Sequence, residues 1–130
     1  MRTLLPPGWP RPKGYANGVS AQGRLIFTAG VIGWDETERI VAGDLPGQFR
    51  QVLRNTLAIL AEEGAGPEHV VRMTWYVVDL DEYRSGLAEI GAIYKELMGR
   101  NFPAMAVVQV AGLVEPAARI EIETTAMVPE

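Results

Sequence analysis

The sequence predicts an α+β fold in which two helices cover one face of a β-sheet, with the elements in the order β-β-α-β-α-β-β. Two segments carry apolar residues at the three- and four-residue spacing of an amphipathic helix, and the other apolar residues form short β-branched or aromatic runs. The chain has 130 residues, of which 48% are hydrophobic and 22% charged, and no repeat or linker divides it. We therefore expect one globular domain over residues 1–130.

The first part of the chain predicts an arm and two strands. Residues 1–13 contain four prolines and are expected to form an extended N-terminal arm, because proline disfavours a helix interior. A first strand is expected within residues 15–21. The apolar run at residues 25–33 predicts a second strand with a bulge or tight bend at Gly30, and a polar loop follows at residues 35–44.

The middle of the chain predicts two helices on either side of a strand. Residues 48–63 form the first helix, since their apolar residues recur at steps of four, four and three. The β-branched and aromatic run at residues 70–78 predicts a central strand. Asp79 precedes Glu82 at the spacing of a capping box and begins the second helix, which ends at Gly99.

Two further strands, at residues 104–110 and 119–128, complete the sheet. In the last one, two isoleucines alternate with Arg119, Glu121 and Glu123, which predicts one buried face and allows the arginine to pair with either glutamate. Two helices cover only one face of such a sheet. We therefore expect self-association to bury the apolar residues of the other face.

Composition excludes several classes of partner and location. The net charge is −4 and no basic tract is present, so a nucleic-acid partner is not expected. There is no cysteine, hence no disulfide and no thiolate site. Prolines interrupt the N-terminal region before any signal-like apolar run, and no segment approaches a membrane span, so we expect a cytoplasmic protein without a membrane partner.

Common catalytic motifs are absent from the sequence. It contains no glycine-rich phosphate loop, and its lone histidine, His69, is expected to be a surface or strand-end residue. The two lysines, Lys13 and Lys95, lack a motif for Schiff-base chemistry. A helix cap explains three acidic residues better than a magnesium site does: Asp79, Asp81 and Glu82. We expect no metal and no cofactor, so that any catalysis relies on carboxylates, backbone amides, tyrosine and bound water.

Several segments, in the right order and spacing, resemble the Rid (YjgF/RidA-like) superfamily. The resemblance runs from about residue 14 to residue 128. It implies a chorismate-mutase-like (RidA-like) mixed sheet, a homotrimer, three small-molecule clefts between subunits, and hydrolytic deamination of enamines or imines. The segments that carry it are residues 14–18, 26–32, 51–57, 63–66, 77–83, 102–104 and 120–123.

The resemblance also implies site residues. In RidA-type members a glutamate on the last strand orders the hydrolytic water, and an N-terminal tyrosine and backbone groups near a glycine complete the site. These positions are Glu121 as the catalytic residue and Tyr15 and Gly30 as substrate-binding residues. From the residues alone, Glu121 is expected to be a solvent-face strand residue, and the alternative for Tyr15 is to pack its ring at a subunit contact.

The sequence departs from the family pattern at the substrate anchor. The arginine that follows the Phe-Pro-Ala segment in RidA-type members is Met105 here, and Val107 nearby is also apolar. An asparagine of the second helix in those members falls at Gly91. Methionine cannot replace a bidentate arginine–carboxylate contact, so imines with an α-carboxylate are expected to bind poorly. Met105 and Val107 are predicted to contact an apolar ligand.

Two tryptophans, Trp34 and Trp75, are candidates for the pocket wall, although core or interface packing is the alternative for both. The sequence thus predicts a deaminase-like hydrolase acting on a ligand without a dominant α-carboxylate. The alternative is a non-catalytic trimer that binds or senses a metabolite. A mutase of the same fold is disfavoured, because no convergent arginines occupy motif positions.

Overall fold

Six strands and three helices make up the fold of residues 1–130, as described by a computed structural model. All three helices lie between the third and the fifth strand along the chain. Their bounds are β1 (Arg2–Leu4), β2 (Gly18–Ser20), β3 (Arg24–Phe27), α1 (Leu45–Ala61), β4 (Val70–Val77), α2 (Leu80–Ser85), α3 (Leu87–Met98), β5 (Ala104–Gln109) and β6 (Ile120–Val128).

A four-stranded mixed sheet in the order β3-β6-β4-β5 forms the centre of the fold. β6 pairs antiparallel with both β3 and β4, whereas β4 and β5 are parallel and are connected through α2 and α3. The strand β1 lies in the N-terminal arm and pairs antiparallel with β2 in a separate two-stranded sheet. The predicted α+β fold with a mixed sheet is confirmed.

The helices pack on one face of the sheet. α1 contributes an apolar stripe that includes Phe49 and Leu53, and these residues join Trp75 of β4 and Ile122 of β6 in one buried cluster. Burial of each large apolar side chain contributes about 1.5–3 kcal/mol to folding. α1 begins three residues before the predicted start, because Pro46 is favourable in the first turn of a helix.

The opposite face of the sheet is not covered by any element of this chain. Leu25 and Phe27 of β3 project there and are 51% and 68% exposed. Val108 of β5 is also exposed on this face, which it shares with the charged residues of β6. Apolar side chains therefore remain in contact with solvent on a single chain.

The bend predicted at Gly30 is a β-bulge. The Thr28 N–H donates to the carbonyl of Thr124, and Val31 exchanges two backbone hydrogen bonds with Ile122 at 2.8 and 2.9 Å. The three-residue step from Thr28 to Val31 is therefore paired with a two-residue step on β6, from Thr124 to Ile122. Such a bulge re-aims the backbone beside the sheet.

The second predicted helix is interrupted at Gly86, so that it forms α2 and α3. Gly86 has φ −98° and ψ 6°, while its N–H still donates to the Glu82 carbonyl at 3.1 Å. A glycine weakens a helix by about 1 kcal/mol relative to alanine, which favours a break there.

No helix of the structure has both the length and the apolar character needed to cross a bilayer.

Asp79 caps α2, as predicted. Its carboxylate accepts hydrogen bonds from the N–H groups of Asp81 at 2.9 Å and Glu82 at 3.3 Å. The reciprocal half of a capping box is missing, because the Glu82 carboxylate accepts two bonds from Nε of Arg119 at 2.7 and 2.8 Å. Arg119, which the sequence allowed to pair with a glutamate of β6, lies just before that strand and pairs with Glu82 of α2 instead.

Candidate functional site

A cavity of about 750 Å³ lies between α3, β5 and the segment that precedes β2. Its volume is within the range of small-molecule sites in proteins. Nine of the fifteen lining residues are hydrophobic, and none is acidic. The hydrophobic ones are Tyr15, Trp75, Tyr83, Leu87, Ile90, Tyr94, Phe102, Met105 and Val107, and the others are Lys13, Gly14, Gly91, Lys95, Gly99 and Arg100.

Aromatic rings in mutual contact form one wall of this cavity. The Trp75 ring centroid lies 6.2 Å from that of Tyr94 and 6.4 Å from that of Tyr83, the latter in an edge-on arrangement. Tyr94 stacks in turn on Phe102, with 5.6 Å between the ring centroids. Burial raises the pKa values of both tyrosines, because it disfavours the charged phenolate.

The segment before β2 is held against β5 by a backbone hydrogen bond. The Ala16 N–H donates to the carbonyl of Pro103 at 2.9 Å, and Ala16 also forms a parallel bridge with Ala104. This contact places Lys13 and Tyr15 at the mouth of the cavity, although Tyr15 remains 42% exposed. The arm therefore supplies one side of the cavity.

The strand register places Met105 and Val107 on the helix-covered side of the sheet. Met105 is opposite Met73 and Val107 is opposite Trp75, and both partners are buried against the helices. Both residues are half-buried and line the cavity. The position that the resemblance assigns to the substrate anchor is thus an apolar part of the wall.

Glu121 lies on the other face of the sheet. In the register of β6 with β4 it is opposite Tyr76, whereas the neighbouring Ile122 is opposite Trp75. The β-bulge brings Gly30 so close to Glu121 that a Cβ atom at that glycine would lie 2.5 Å from Oε2 of the carboxylate. Gly30 and Glu121 therefore form a second group of residues, separated from the cavity by the sheet.

The Glu121 carboxylate has no hydrogen-bond or ion-pair partner within the chain. Its strand neighbour Glu123 accepts a hydrogen bond from the Tyr76 hydroxyl at 2.6 Å, which raises the pKa of that hydroxyl. Arg119 is bound to Glu82. Glu121 is half-buried and remains available for a group outside this chain.

The structure therefore divides the predicted site residues between two places. The cavity, on the helix-covered side, is lined by Tyr15, Trp75, Met105 and Val107. Gly30 and Glu121 lie next to each other on the opposite face of the sheet. Trp34 lies with neither group. Its backbone pairs with Ile40, and its carbonyl accepts a hydrogen bond from Asn55 at 2.8 Å.

Sequence reasoning missed part of the wall. The apolar stripe of the second predicted helix, for which the sequence predicted no contact with a ligand, contributes Tyr83, Leu87, Ile90 and Tyr94. The apolar spacing predicted which face of the helix is apolar. It did not predict that part of this face is left uncovered and lines a cavity. His69 lies directly before β4, as expected of a strand-end residue, and its Nδ1 accepts the Gly66 N–H at 3.0 Å.

Comparison with known proteins identifies the family. The profile of the family described as Endoribonuclease L-PSP matches residues 10–128. A crystal structure of a Rid-family protein from Yersinia pestis superposes with a TM-score of 0.86 at 33% identity, covering 98% of each chain. The chain belongs to the Rid family. The resemblance seen in the sequence segments is confirmed.

Relatives of this Rid protein include proteins with and without a named activity. A RutC family protein of Pyrococcus abyssi is 37% identical over 118 residues, which is 90% of this chain and 89% of the relative. The human 2-iminobutanoate/2-iminopropanoate deaminase is 34% identical over 105 residues, which is 80% of this chain and 73% of the human protein. The family is therefore shared with a protein named as a deaminase.

Proposed function

We propose that this Rid protein hydrolyses an imine or enamine in a cleft between two copies of the chain, within a homotrimer. The activity class is supported by family membership and by the human deaminase at 34% identity. The substrate body lies in the aromatic cavity of one copy. The Glu121 carboxylate of the next copy orders the attacking water.

The observation that carries this proposal is the unpartnered Glu121 carboxylate on the face that no helix covers. The cavity with Met105 and the glutamate lie on opposite sides of one sheet, so a single chain cannot bring them to the same substrate. β5 is an edge strand, and the cavity reaches that edge. A second copy that covers the uncovered face can place its glutamate at the mouth of the cavity.

The chemistry needs an electrophilic carbon, a positioned water and a base. The water oxygen adds to the imine carbon, one water proton passes to the Glu121 carboxylate, and the nitrogen takes a proton from solvent. The carboxylic acid then returns its proton to nitrogen, the C–N bond breaks, and ammonia leaves. The hydroxyl proton returns to solvent and a ketone or aldehyde remains. An enamine first becomes the imine by taking a proton at carbon and losing one from nitrogen.

The cavity wall determines which imines fit. Met105 offers neither charge nor a hydrogen-bond donor at the position of the family arginine, and Val107 beside it is also apolar. A carboxylate on the imine carbon would lose its hydration there without a partner, which is unfavourable. The preferred substrate therefore has an apolar group near the reacting carbon.

Substitution of Glu121 by glutamine tests the mechanism. Glu121→Gln keeps the side-chain volume but removes the base, so the rate of ammonia release should fall by about 10²–10⁴. Rates are measured above the buffer background on a panel of imines generated in situ by amine oxidases. Glu123→Gln is the matched control, because it lies two residues along the same strand face and still accepts the bond from Tyr76.

Equal rates for Glu121→Gln and wild type on a substrate that wild type hydrolyses would rule out the proposed role of the glutamate. Wild type that turns over no imine, but whose melting temperature rises with a metabolite, would instead support a binding trimer. The loss of the arginine at Met105 favours that second candidate. A ligand that binds only the folded state raises stability, so thermal shift detects it without turnover.

A further inference from the structure

Three basic residues line the cavity, and no acidic residue does. They are Lys13 of the arm, Lys95 of α3 and Arg100 of the turn that follows. The chain as a whole has 16 acidic and 12 basic residues, so this concentration of positive charge runs against its composition. A cavity lined by one sign of charge raises the local concentration of the opposite ion.

None of these three cations is neutralised within the chain. Four other arginines form ion pairs with carboxylates, namely Arg24, Arg50, Arg84 and Arg119. The neighbour of Lys95 on α3, Glu96, is bound to Arg50 and therefore does not pair with the lysine. The positive charge at the cavity remains available to a ligand.

The cations and the apolar wall occupy different parts of the cavity. The rim consists of the exposed residues Lys13, Lys95 and Arg100. The wall includes Met105, which is half-buried, and Trp75, which is buried. Trp75 is only 3% exposed, and its indole N–H has no acceptor in the protein.

We propose that this cavity takes an amphipathic organic acid, with its apolar body against the aromatic wall and its anionic group at the cationic rim. The substrate is then an imine whose carboxylate lies several carbons away from the imine carbon. This part of the inference rests on the proposed function. Positive charge is thus absent at the family anchor, Met105, and present at the rim. Selectivity for the position of the acid group follows from this arrangement.

A structural role for part of this charge is the competing account. Lys95 lies in the last turn of α3 and Arg100 just beyond it, where cations interact favourably with the helix dipole. That role predicts a change in stability on neutralisation but no change in ligand affinity. Lys13 is on the arm and has no such role.

Two fluorescent probes of matched shape separate charge from apolar contact. Anilinonaphthalene sulfonate carries an aromatic body and one anionic group, and phenylnaphthylamine has the same body without the charge. In the triple variant Lys13→Gln, Lys95→Gln, Arg100→Gln, affinity for the anionic probe should fall about tenfold, since charge-assisted contacts at an exposed rim are individually weak. Affinity for the neutral probe should stay at the wild-type value.

The control variant removes three exposed arginines away from the cavity and has the same net charge: Arg2→Gln, Arg39→Gln and Arg54→Gln. It should bind both probes as wild type does. Gly91→Phe locates the probes, because the glycine lines the cavity and open space surrounds its Cβ position. This variant should lose both probes.

An unchanged affinity of the cavity triple variant for the anionic probe would overturn the proposal, as would an equal loss for both probes. Retained anion binding in Gly91→Phe would place the anion site elsewhere and would also overturn it. A lower oligomer mass of the triple variant would show that the cations hold a second copy rather than a ligand. These readouts are independent of turnover, so a failure of the Glu121 mechanism leaves them interpretable.

Discussion

At Gly30 the backbone approaches the Glu121 carboxylate more closely than any other residue would permit. A Cβ atom there would lie 2.5 Å from Oε2 and 2.7 Å from Cδ of the glutamate. Real Cβ atoms do not approach heavy atoms this closely, so either the glutamate or the backbone would have to move. The glutamate side chain is flexible and is the easier of the two to displace.

We predict that Gly30→Ala acts on the rate through Glu121. The added methyl group should displace the carboxylate by about 1 Å and lower kcat by roughly 10- to 100-fold, while KM changes little. Steady-state kinetics and the melting temperature check this together. Gly112→Ala is the matched control, because open space surrounds its Cβ position. An unchanged kcat in Gly30→Ala would contradict a positioning role for this glycine.

Single residues show how far sequence reasoning reaches. The alternation of β6 placed Glu121 and Ile122 on opposite faces, because a strand has a side-chain period of two. The family resemblance singled out Tyr15 and Met105, and both line the cavity. The rim cations Lys95 and Arg100 were not predicted as a ligand site, because they come together with the arm only in three dimensions.

Gln48 connects α1 to the chain before β6. It is fully buried, and its Nε2 donates to the carbonyls of Ala42 and Ala117 at 3.0 and 2.9 Å. Its Oε1 accepts the N–H of Arg119 at 2.7 Å. One side chain thus satisfies three backbone groups from two separate segments.

Gln48→Ala should lower the free energy of unfolding by about 2–4 kcal/mol, because it leaves three part-buried backbone groups without their partner. Urea unfolding followed by circular dichroism gives this value. Gln51→Ala serves for comparison, since Gln51 is half-buried and its amide donates only to Asn55 at 2.8 Å. A loss below 1 kcal/mol for Gln48→Ala would show that water replaces the side chain.

Helices illustrate what periodicity detects and what it does not. The apolar spacing predicted one helix from Asp79 to Gly99, and the stripe does continue across the break at Gly86. Periodicity reports which side of the backbone is apolar and is insensitive to one residue that leaves the helical conformation. Gly86 itself was the only signal for two helices, and an isolated glycine is also tolerated within a helix.

For the whole molecule, the uncovered sheet face connects fold and proposed site. Leu25 and Phe27 are exposed on the same face as the glutamates of β6, and Val108 is exposed next to Tyr76 on that face. Sequence reasoning anticipated this face from the number of helices alone. It could not give the geometry by which copies meet, because that geometry depends on the shape of the whole surface.

We predict a trimer with three times the chain mass of 14.2 kDa in light scattering. Phe27→Lys should shift the mass toward the monomer, because a desolvated charge at the interface is unfavourable. It should also abolish turnover if the site needs two copies. Ile59→Lys is the control, as it places the same charge at an exposed apolar position of α1. A monomeric wild type would contradict the inter-subunit site.

The position of β6 between β3 and β4 also constrains folding. Residues 120–128 pair with residues 24–27 on one side and 70–77 on the other. The strand β6 is therefore synthesised after both of its neighbours. Until it emerges from the ribosome, the nascent chain presents two unpaired strand edges of the kind that promote aggregation. Sheet formation then requires contacts distant in sequence, which slows folding. The sheet should therefore be completed only after β6 has emerged, and this chain should depend on chaperones more than a helical bundle of equal length does.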